Sequence, residues 1–120
     1  MIELGDRRVI RRVFTAADIA DYVALGGGAG GDAVPEPLIG ALFSYLLGVE
    51  LPGPGTNYLK QEIAFAARAP LGVPLVASVE VIRLRPEKSI VDLWASARLE
   101  DGTVVAEGRS LVKFVEPVEA

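Results

Sequence analysis

The sequence predicts an α+β fold in which an antiparallel sheet curls around one buried helix. First, residues 37–49 carry no charge and are apolar on every side, so a helix formed there needs cover all round. Second, residues 58–115 alternate between apolar and polar side chains, as half-buried strands do. Third, a length of 120 residues suits one domain, 1–120, with a single core.

Composition narrows the class of protein. Hydrophobic residues make up 51% and charged residues 23%, values typical of a globular chain. The net charge of −4, with no basic cluster beyond Arg7-Arg8 and Arg11-Arg12, argues against a nucleic-acid partner. The chain has no cysteine and no histidine, so carboxylates alone would remain for a transition metal, and we expect no metal site.

The chain also lacks the signals of export or membrane insertion. Residues 1–12 are charged and contain no apolar signal-peptide core. The uncharged run 37–49 is shorter than the roughly 20 residues that span a bilayer. We therefore expect a cytoplasmic protein with no membrane partner.

The N-terminal part predicts a short strand, 7–13, and one capped helix. Thr15 is a typical N-cap, and Asp18 follows three residues later in the capping-box position. The helix should end near Leu25, where Gly26 follows.

Five glycines in the six residues 26–31 predict a flexible connection. Gly26, Gly28 and Gly31 formally satisfy the dinucleotide motif G-x-G-x-x-G. That motif requires a preceding strand and a parallel sheet, whereas here a capped helix precedes the glycines. We favour the simple connection.

The central helix should begin at Pro35 or Pro37, because proline is favoured in the first helical turn. Gly40, Ser44 and Gly48 recur at intervals of four and form a narrow stripe of small residues. We expect this stripe to pack closely against the sheet; a slender ligand approaching it is the alternative.

Four strands should follow as an antiparallel meander. In the first, alternation places Gln61 on the apolar face and Tyr58 on the opposite face. The next strands are expected at about 74–85 and 91–99. Asp101-Gly102 is a strong hairpin signal, and the last strand, 103–115, should turn Val104 towards the apolar side.

Two carboxylates flank the start of the central helix. A helix N-terminus offers free N–H groups and partial positive charge, so Asp32 and Glu36 are either capping groups or acid/base residues at a pocket mouth. Pro37 removes one N–H, but the Glu36 N–H remains available to an oxyanion. Gln61 is expected to be a buried amide bonded to the backbone, with a substrate contact as the alternative. Ser44 has no histidine to activate it, which argues against a serine hydrolase.

A family resemblance is carried by the runs 42–48 (LFSYLLG), 51–55 (LPGPG) and 58–61 (YLKQ). With FTAAD at 14–18 and Glu107-Gly108 further on, they resemble the MaoC-like family, whose members include the (R)-specific enoyl-CoA hydratases. The resemblance covers nearly the whole chain. It implies the hotdog fold, in which an antiparallel sheet wraps a central helix.

The catalytic motif of that family is missing. In the family, Asp, Asn-Pro and His follow an Ala-Leu-Ser-Gly run; here glycines follow Ala24-Leu25, and Gly28 stands at the Asp position. About a dozen or more residues that cover the acyl pocket in the family have no counterpart before the central helix. The family's His-Gly pair at the helix start is Pro35-Glu36 here, so the resemblance leaves Glu36 only the backbone oxyanion role.

The resemblance implies a coenzyme A or acyl-carrier thioester as substrate or ligand, with no further cofactor. The favoured hypothesis is a catalytically degenerate hotdog subunit that binds or shapes a thioester site, with Glu36, Gly40, Tyr58 and Gln61 as candidate contacts. It would act beside a second hotdog subunit, as a homodimer or a heterodimer. One alternative is a hydratase, dehydratase or thioesterase that uses Asp32 or Glu36 as its catalytic carboxylate. The other is a structural homodimer without a thioester ligand.

Overall fold

A computed structural model of the chain describes residues 2–28 and 31–115. Part of the predicted glycine connection, 29–30, lies outside the described residues. The elements are β1 (Arg7–Val13), α1 (Ala16–Ala24), α2 (Glu36–Tyr45), a π-helical turn (Leu46–Glu50), β2 (Thr56–Phe65), β3 (Pro74–Arg85), a 3-10 turn (Pro86–Lys88), β4 (Ile90–Leu99) and β5 (Val104–Phe114).

The capping box of α1 is confirmed. The Thr15 hydroxyl accepts a hydrogen bond from the Asp18 N–H at 3.3 Å, and the Thr15 N–H donates to Asp18 Oδ2 at 2.8 Å. This backbone hydrogen bond lowers the pKa of Asp18, because it favours the charged carboxylate. Gly26 follows the helix with a φ of +108°, a conformation that glycine adopts without strain.

The sheet is antiparallel throughout, with strand order β1-β3-β4-β5-β2. The predicted four-strand meander is therefore wrong for β2, which pairs with β5 at the far edge rather than with β3. Alternation shows which residues share a face of a strand and says nothing about which strand lies beside it. The segment after β2 leads the chain away from β5 to the opposite side of the sheet, where β3 begins beside β1.

Two register shifts move side chains to faces that simple alternation did not predict. The ladder between β2 and β5 passes from Tyr58 opposite Val112 to Lys60 opposite Leu111, so Leu59 is an extra residue. Tyr58 consequently shares the inner face, which is turned towards α2, with Gln61. A second shift between β4 and β5 pairs Val104 with Arg98 on the outer face, turned away from α2. Both predicted side-chain directions, for Tyr58 and for Val104, are wrong.

The core lies between α2 and the inner face of the sheet. Helix residues Ile39 and Phe43, with Leu46 and Leu47 of the π-helical turn, are each at most 1% exposed. They belong to one apolar cluster with residues of the three central strands, among them Leu75, Ala77, Val79, Leu93, Ala95 and Val112. This is the predicted α+β arrangement of a sheet packed on a central helix.

The sheet covers one side of this helix. Pro37, Ala41, Ser44 and Tyr45 are exposed, since five strands reach around only one side of α2. The small-residue stripe also points away from the sheet, because a Cβ placed on Gly40 would meet no atom within 4 Å. Within residues 2–28 and 31–115, no helix is long and apolar enough to cross a membrane.

Candidate functional site

A cleft of about 380 Å³ opens at the start of α2, and we call it the N-terminal cleft. Pro35, Glu36 and Ile39 form its helical wall, and Tyr22 of α1 forms a second wall. The opposite side comes from the end of β2 and the residues after it: Phe65, Ala67, Arg68 and Ala69. The cleft is thus built at the helix terminus that the sequence singled out.

Backbone hydrogen bonds fix the two sides of the cleft to each other. The Val34 N–H donates to the Ala69 carbonyl at 2.8 Å, and the Leu71 N–H donates to the Asp32 carbonyl at 3.3 Å. Between them, Ala33 and Pro70 form an isolated antiparallel bridge. The approach to α2 is therefore held as a short strand-like piece beside the segment that follows β2.

Tyr22 closes the cleft against the first glycines of the connection. The Gly27 N–H donates to the Tyr22 carbonyl at 2.9 Å. A Cβ on residue 27 would overlap the Tyr22 ring, so a larger residue there would require that ring to move. Sequence inspection singled out neither Tyr22 nor this contact.

Glu36 lines the cleft, and Asp32 lies at its rim. Glu36 is the first residue of α2, with Pro35 as N-cap and no side-chain cap, so its N–H is one of the free donors of the first turn. Asp32 accepts a hydrogen bond from Arg68 Nη2 at 3.2 Å, and both side chains are largely exposed. Such an exposed ion pair contributes at most about 1 kcal/mol and leaves the carboxylate free to exchange partners.

Arg68 is the site residue that sequence reasoning missed. It lies three residues beyond the end of β2, and it lines the cleft together with Glu36. The cleft therefore carries one carboxylate and one guanidinium, with the Asp32 carboxylate bonded to the latter.

The other three candidates lie outside the cleft lining. Gly40 is half-buried on α2, one turn after Glu36. Tyr58 and Gln61 project from the inner face of β2, where both are exposed. Gln61 Nε2 donates to the Ser110 hydroxyl at 3.0 Å. The expectation of a buried amide bonded to the backbone is therefore wrong, because the helix does not reach over β2.

The described residues do not assemble a metal site. Within 2–28 and 31–115, no group of three or more Asp, Glu, His or Cys side chains converges on one point. Chemically, the cleft can bind a group at the helix N-terminus and present carboxylate and guanidinium groups to it.

Known proteins are similar to this one over nearly the whole chain. The chain is 32% identical to an (R)-specific enoyl-CoA hydratase from Aeromonas caviae, an alignment that includes 94% of this chain and 96% of that protein. The chain belongs to the MaoC-like hotdog family. A 3-hydroxybutyryl-CoA dehydratase from Methylorubrum extorquens is 28% identical, with 99% and 85% of the two chains covered.

Structural comparison places this MaoC-like chain in the same fold. The solved (R)-hydratase of A. caviae superposes with a TM-score of 0.86 at 29% identity, over 95% of this chain and 98% of that one. The hotdog fold expected from the sequence is confirmed. No protein-family model matches the chain. The alignment with the A. caviae hydratase runs over 128 positions, more than the 120 residues here, so that relative has residues without a counterpart in this chain.

Proposed function

We propose that this protein binds a coenzyme A or acyl-carrier thioester in the N-terminal cleft, and that it is a catalytically degenerate hotdog subunit. The observation that carries the proposal is the cleft itself, which lies at the start of α2, where the Glu36 N–H is free. The curated relatives of this chain are named for reactions of CoA thioesters. An N–H at that position suits a thioester carbonyl, since the hydrogen bond between them would strengthen as negative charge develops on the carbonyl oxygen.

The proposal of degeneracy is supported by the few proton-transfer groups that the cleft offers. The chain has no histidine, and Gly28 stands where the family's catalytic Asp is expected. Each lost proton-transfer role costs about 10²–10⁴-fold in rate. Asp32 is exposed and bonded to Arg68, and the exposed Glu36 has no hydrogen-bond partner for its carboxylate among the described residues. Among the described residues, neither carboxylate is hydrogen-bonded to a second acid/base side chain.

The short link between the helices supports the same view. Only residues 25–35 join α1 to α2, and the outer side of α2 is left exposed. A MaoC-like protein with a longer segment here would cover the helix and supply the missing catalytic groups. In this chain we propose that a second hotdog subunit completes the site.

Strand β2 is the place where we propose that this subunit binds. It is an edge strand of ten residues, so one row of its backbone N–H and C=O groups has no partner strand. Lys60 and Glu62 flank Gln61 on its exposed length. Antiparallel pairing of two copies about Gln61 sets Lys60 of each copy opposite Glu62 of the other, which is the favourable arrangement for cross-strand charges.

Thermal unfolding with and without a thioester tests the binding site. An acyl-CoA at 100 times its Kd stabilises the folded state by about 2.7 kcal/mol, which raises the melting temperature of a domain of this size by about 10 °C. Ala67→Trp fills the cleft and should abolish this response. The matched change Ala64→Trp, three residues earlier on the outer face of β2, should preserve it.

Hydration of crotonyl-CoA by the purified chain tests degeneracy. We expect no turnover above background from the chain alone. Turnover that disappears in Glu36→Gln or Asp32→Asn, and persists in the remote control Glu87→Gln, would establish the enzyme alternative instead. Absence of any melting response to acyl-CoA, alone or with a catalytic hotdog protein added, would leave only the structural dimer.

A further inference from the structure

The outer face of the sheet, turned away from α2, holds most of the positive charge of the molecule. Strand pairing places eight of the twelve Lys and Arg residues on it: Arg7, Arg11, Lys60, Arg83, Arg85, Arg98, Arg109 and Lys113. Four acidic residues share the face, namely Glu62, Glu80, Asp92 and Glu107, and Glu100, just beyond β4, bonds Arg11 at 2.6 Å. The face is therefore net positive in a chain whose formal charge is −4.

Ion pairs within the face neutralise only part of this charge. Asp92 is buried and bonds Arg85 at 2.7 Å, and Lys60 bonds Glu62 at 2.9 Å. Looser pairs, at 3.7 Å, join Arg98 to Glu107 and Arg109 to Asp92. Among the described residues, Arg7 and Arg83 have no carboxylate within 4 Å. Both are exposed, so their charges are available to a partner.

The centre of the face contains a groove of about 270 Å³, which we call the outer groove. Trp94, 41% exposed, forms one wall, and Ser78 and Ser96 lie directly opposite each other in it. Both serines are more than nine-tenths buried. The Ser96 hydroxyl accepts from Arg98 Nε at 3.1 Å, whereas the Ser78 hydroxyl has no hydrogen-bond partner among the described residues.

We propose that the outer face docks an acidic protein surface, with one partner side chain seated in the outer groove against Trp94. Charge complementarity selects this occupant, because two copies of the chain packed outer face to outer face would bring like charges together. The groove supplies what an anchor residue needs: an aromatic wall, a small-residue floor and one free hydroxyl.

The size of the face is sufficient for a specific complex. Five strands about 4.8 Å apart, with about ten residues rising about 3.3 Å each, give a surface of about 800 Å². A standard protein–protein interface buries about 800 Å² on each partner. This docking surface does not depend on the N-terminal cleft, which lies on the other side of the sheet.

Trp94 is the only tryptophan, so its fluorescence reports directly on this face. The probe is a synthetic Asp/Glu-rich peptide with a single phenylalanine, titrated into the purified chain at low and at physiological salt. We expect a saturable fluorescence change that weakens at least about tenfold at the higher salt, because exposed charges are screened. The double variant Arg7→Glu/Arg83→Glu should weaken binding by at least about tenfold.

The matched control is Arg8→Glu/Lys88→Glu, which changes net charge equally but off the outer face. It should bind the peptide as the wild type does. Ser78→Leu, which fills the outer groove, should weaken peptide binding while the melting response to acyl-CoA is unchanged.

Three results would overturn the proposal. The first is the absence of a saturable change at low salt, and the second is equal weakening in the control. The third is tighter binding, at the same salt, of duplex DNA or of phosphatidylserine vesicles than of the peptide. If acyl-CoA fails to raise the melting temperature, the proposal of thioester binding in the N-terminal cleft is refuted, and the proposal for the outer face is unaffected.

Discussion

Replacing Gly108 by alanine is the sharpest test of how β2 is held in the sheet. Gly108 is buried on the inner face of β5, opposite Ile63 of β2 and Ala95 of β4. A Cβ added there would overlap the carbonyl oxygen of Glu62 and also crowd Ile63 Cα at 2.9 Å. Backbone cannot rotate away as a side chain can, so β2 must separate from β5.

The cost lies at the upper end of overpacking, about 3 kcal/mol, and lowers the melting temperature by about 10 °C. The matched control is Gly40→Ala on α2, where the new methyl meets no atom within 4 Å. There the loss of glycine should stabilise the helix by up to about 1 kcal/mol. Chemical denaturation of both variants gives the two free energies of unfolding.

Equal changes in the two variants would refute this reasoning, as would a Gly108→Ala protein that unfolds at the wild-type denaturant concentration. Amide exchange adds a local readout, because the lost protection should concentrate in β2 and spare the ladder between β1 and β3.

Three further predictions concern charged groups. Since its pKa is lowered in the folded state, Asp18 stabilises the protein above its unfolded pKa near 4, so the melting temperature advantage of the wild type over Asp18→Asn should vanish as the pH is lowered below that value. Asp92→Ala strands Arg85 in a largely buried position and should cost about 3 kcal/mol of unfolding free energy by denaturant titration, whereas Asp92→Leu/Arg85→Met should recover most of it. If two copies pair about Gln61, Lys60→Glu should weaken the dimer by about 2 kcal/mol, which is about thirtyfold in the Kd measured by sedimentation. The double variant Lys60→Glu/Glu62→Lys should restore the dimer. A double variant that dimerises as weakly as the single one would exclude this register.

Local chemistry explains which elements could be predicted from the sequence. Thr15 and Asp18 cap α1 through contacts three residues apart, and Gly102, with a φ of +92°, forms the turn expected between β4 and β5. Features that depend on residues distant in the sequence, such as strand order, were harder to predict. The position of β2 beside β5 depends on the whole sheet, and the extra residue at Leu59 reverses the alternation on which the prediction for Tyr58 relied.

In the candidate site too, locally determined residues could be predicted from the sequence and residues placed by long-range contacts could not. Glu36 could be found because prolines mark the start of a helix and its first N–H groups are free by geometry. Arg68 could not, because its partner Asp32 lies 36 residues earlier in the chain. No local pattern joins these two residues; the bridge between Ala33 and Pro70 brings them together.

The two ends of the sheet differ in a way that limits assembly. β1 is seven residues long and includes four arginines, which discourage the addition of another strand. β2 is ten residues long and open, with charges that match a reversed copy of itself. Because only the β2 edge can accept another strand, pairing through β2 ends with a dimer. The unpaired backbone N–H and C=O groups of β2, which in an unprotected sheet could add strand after strand into a fibril, can thus stabilise a dimer of fixed size.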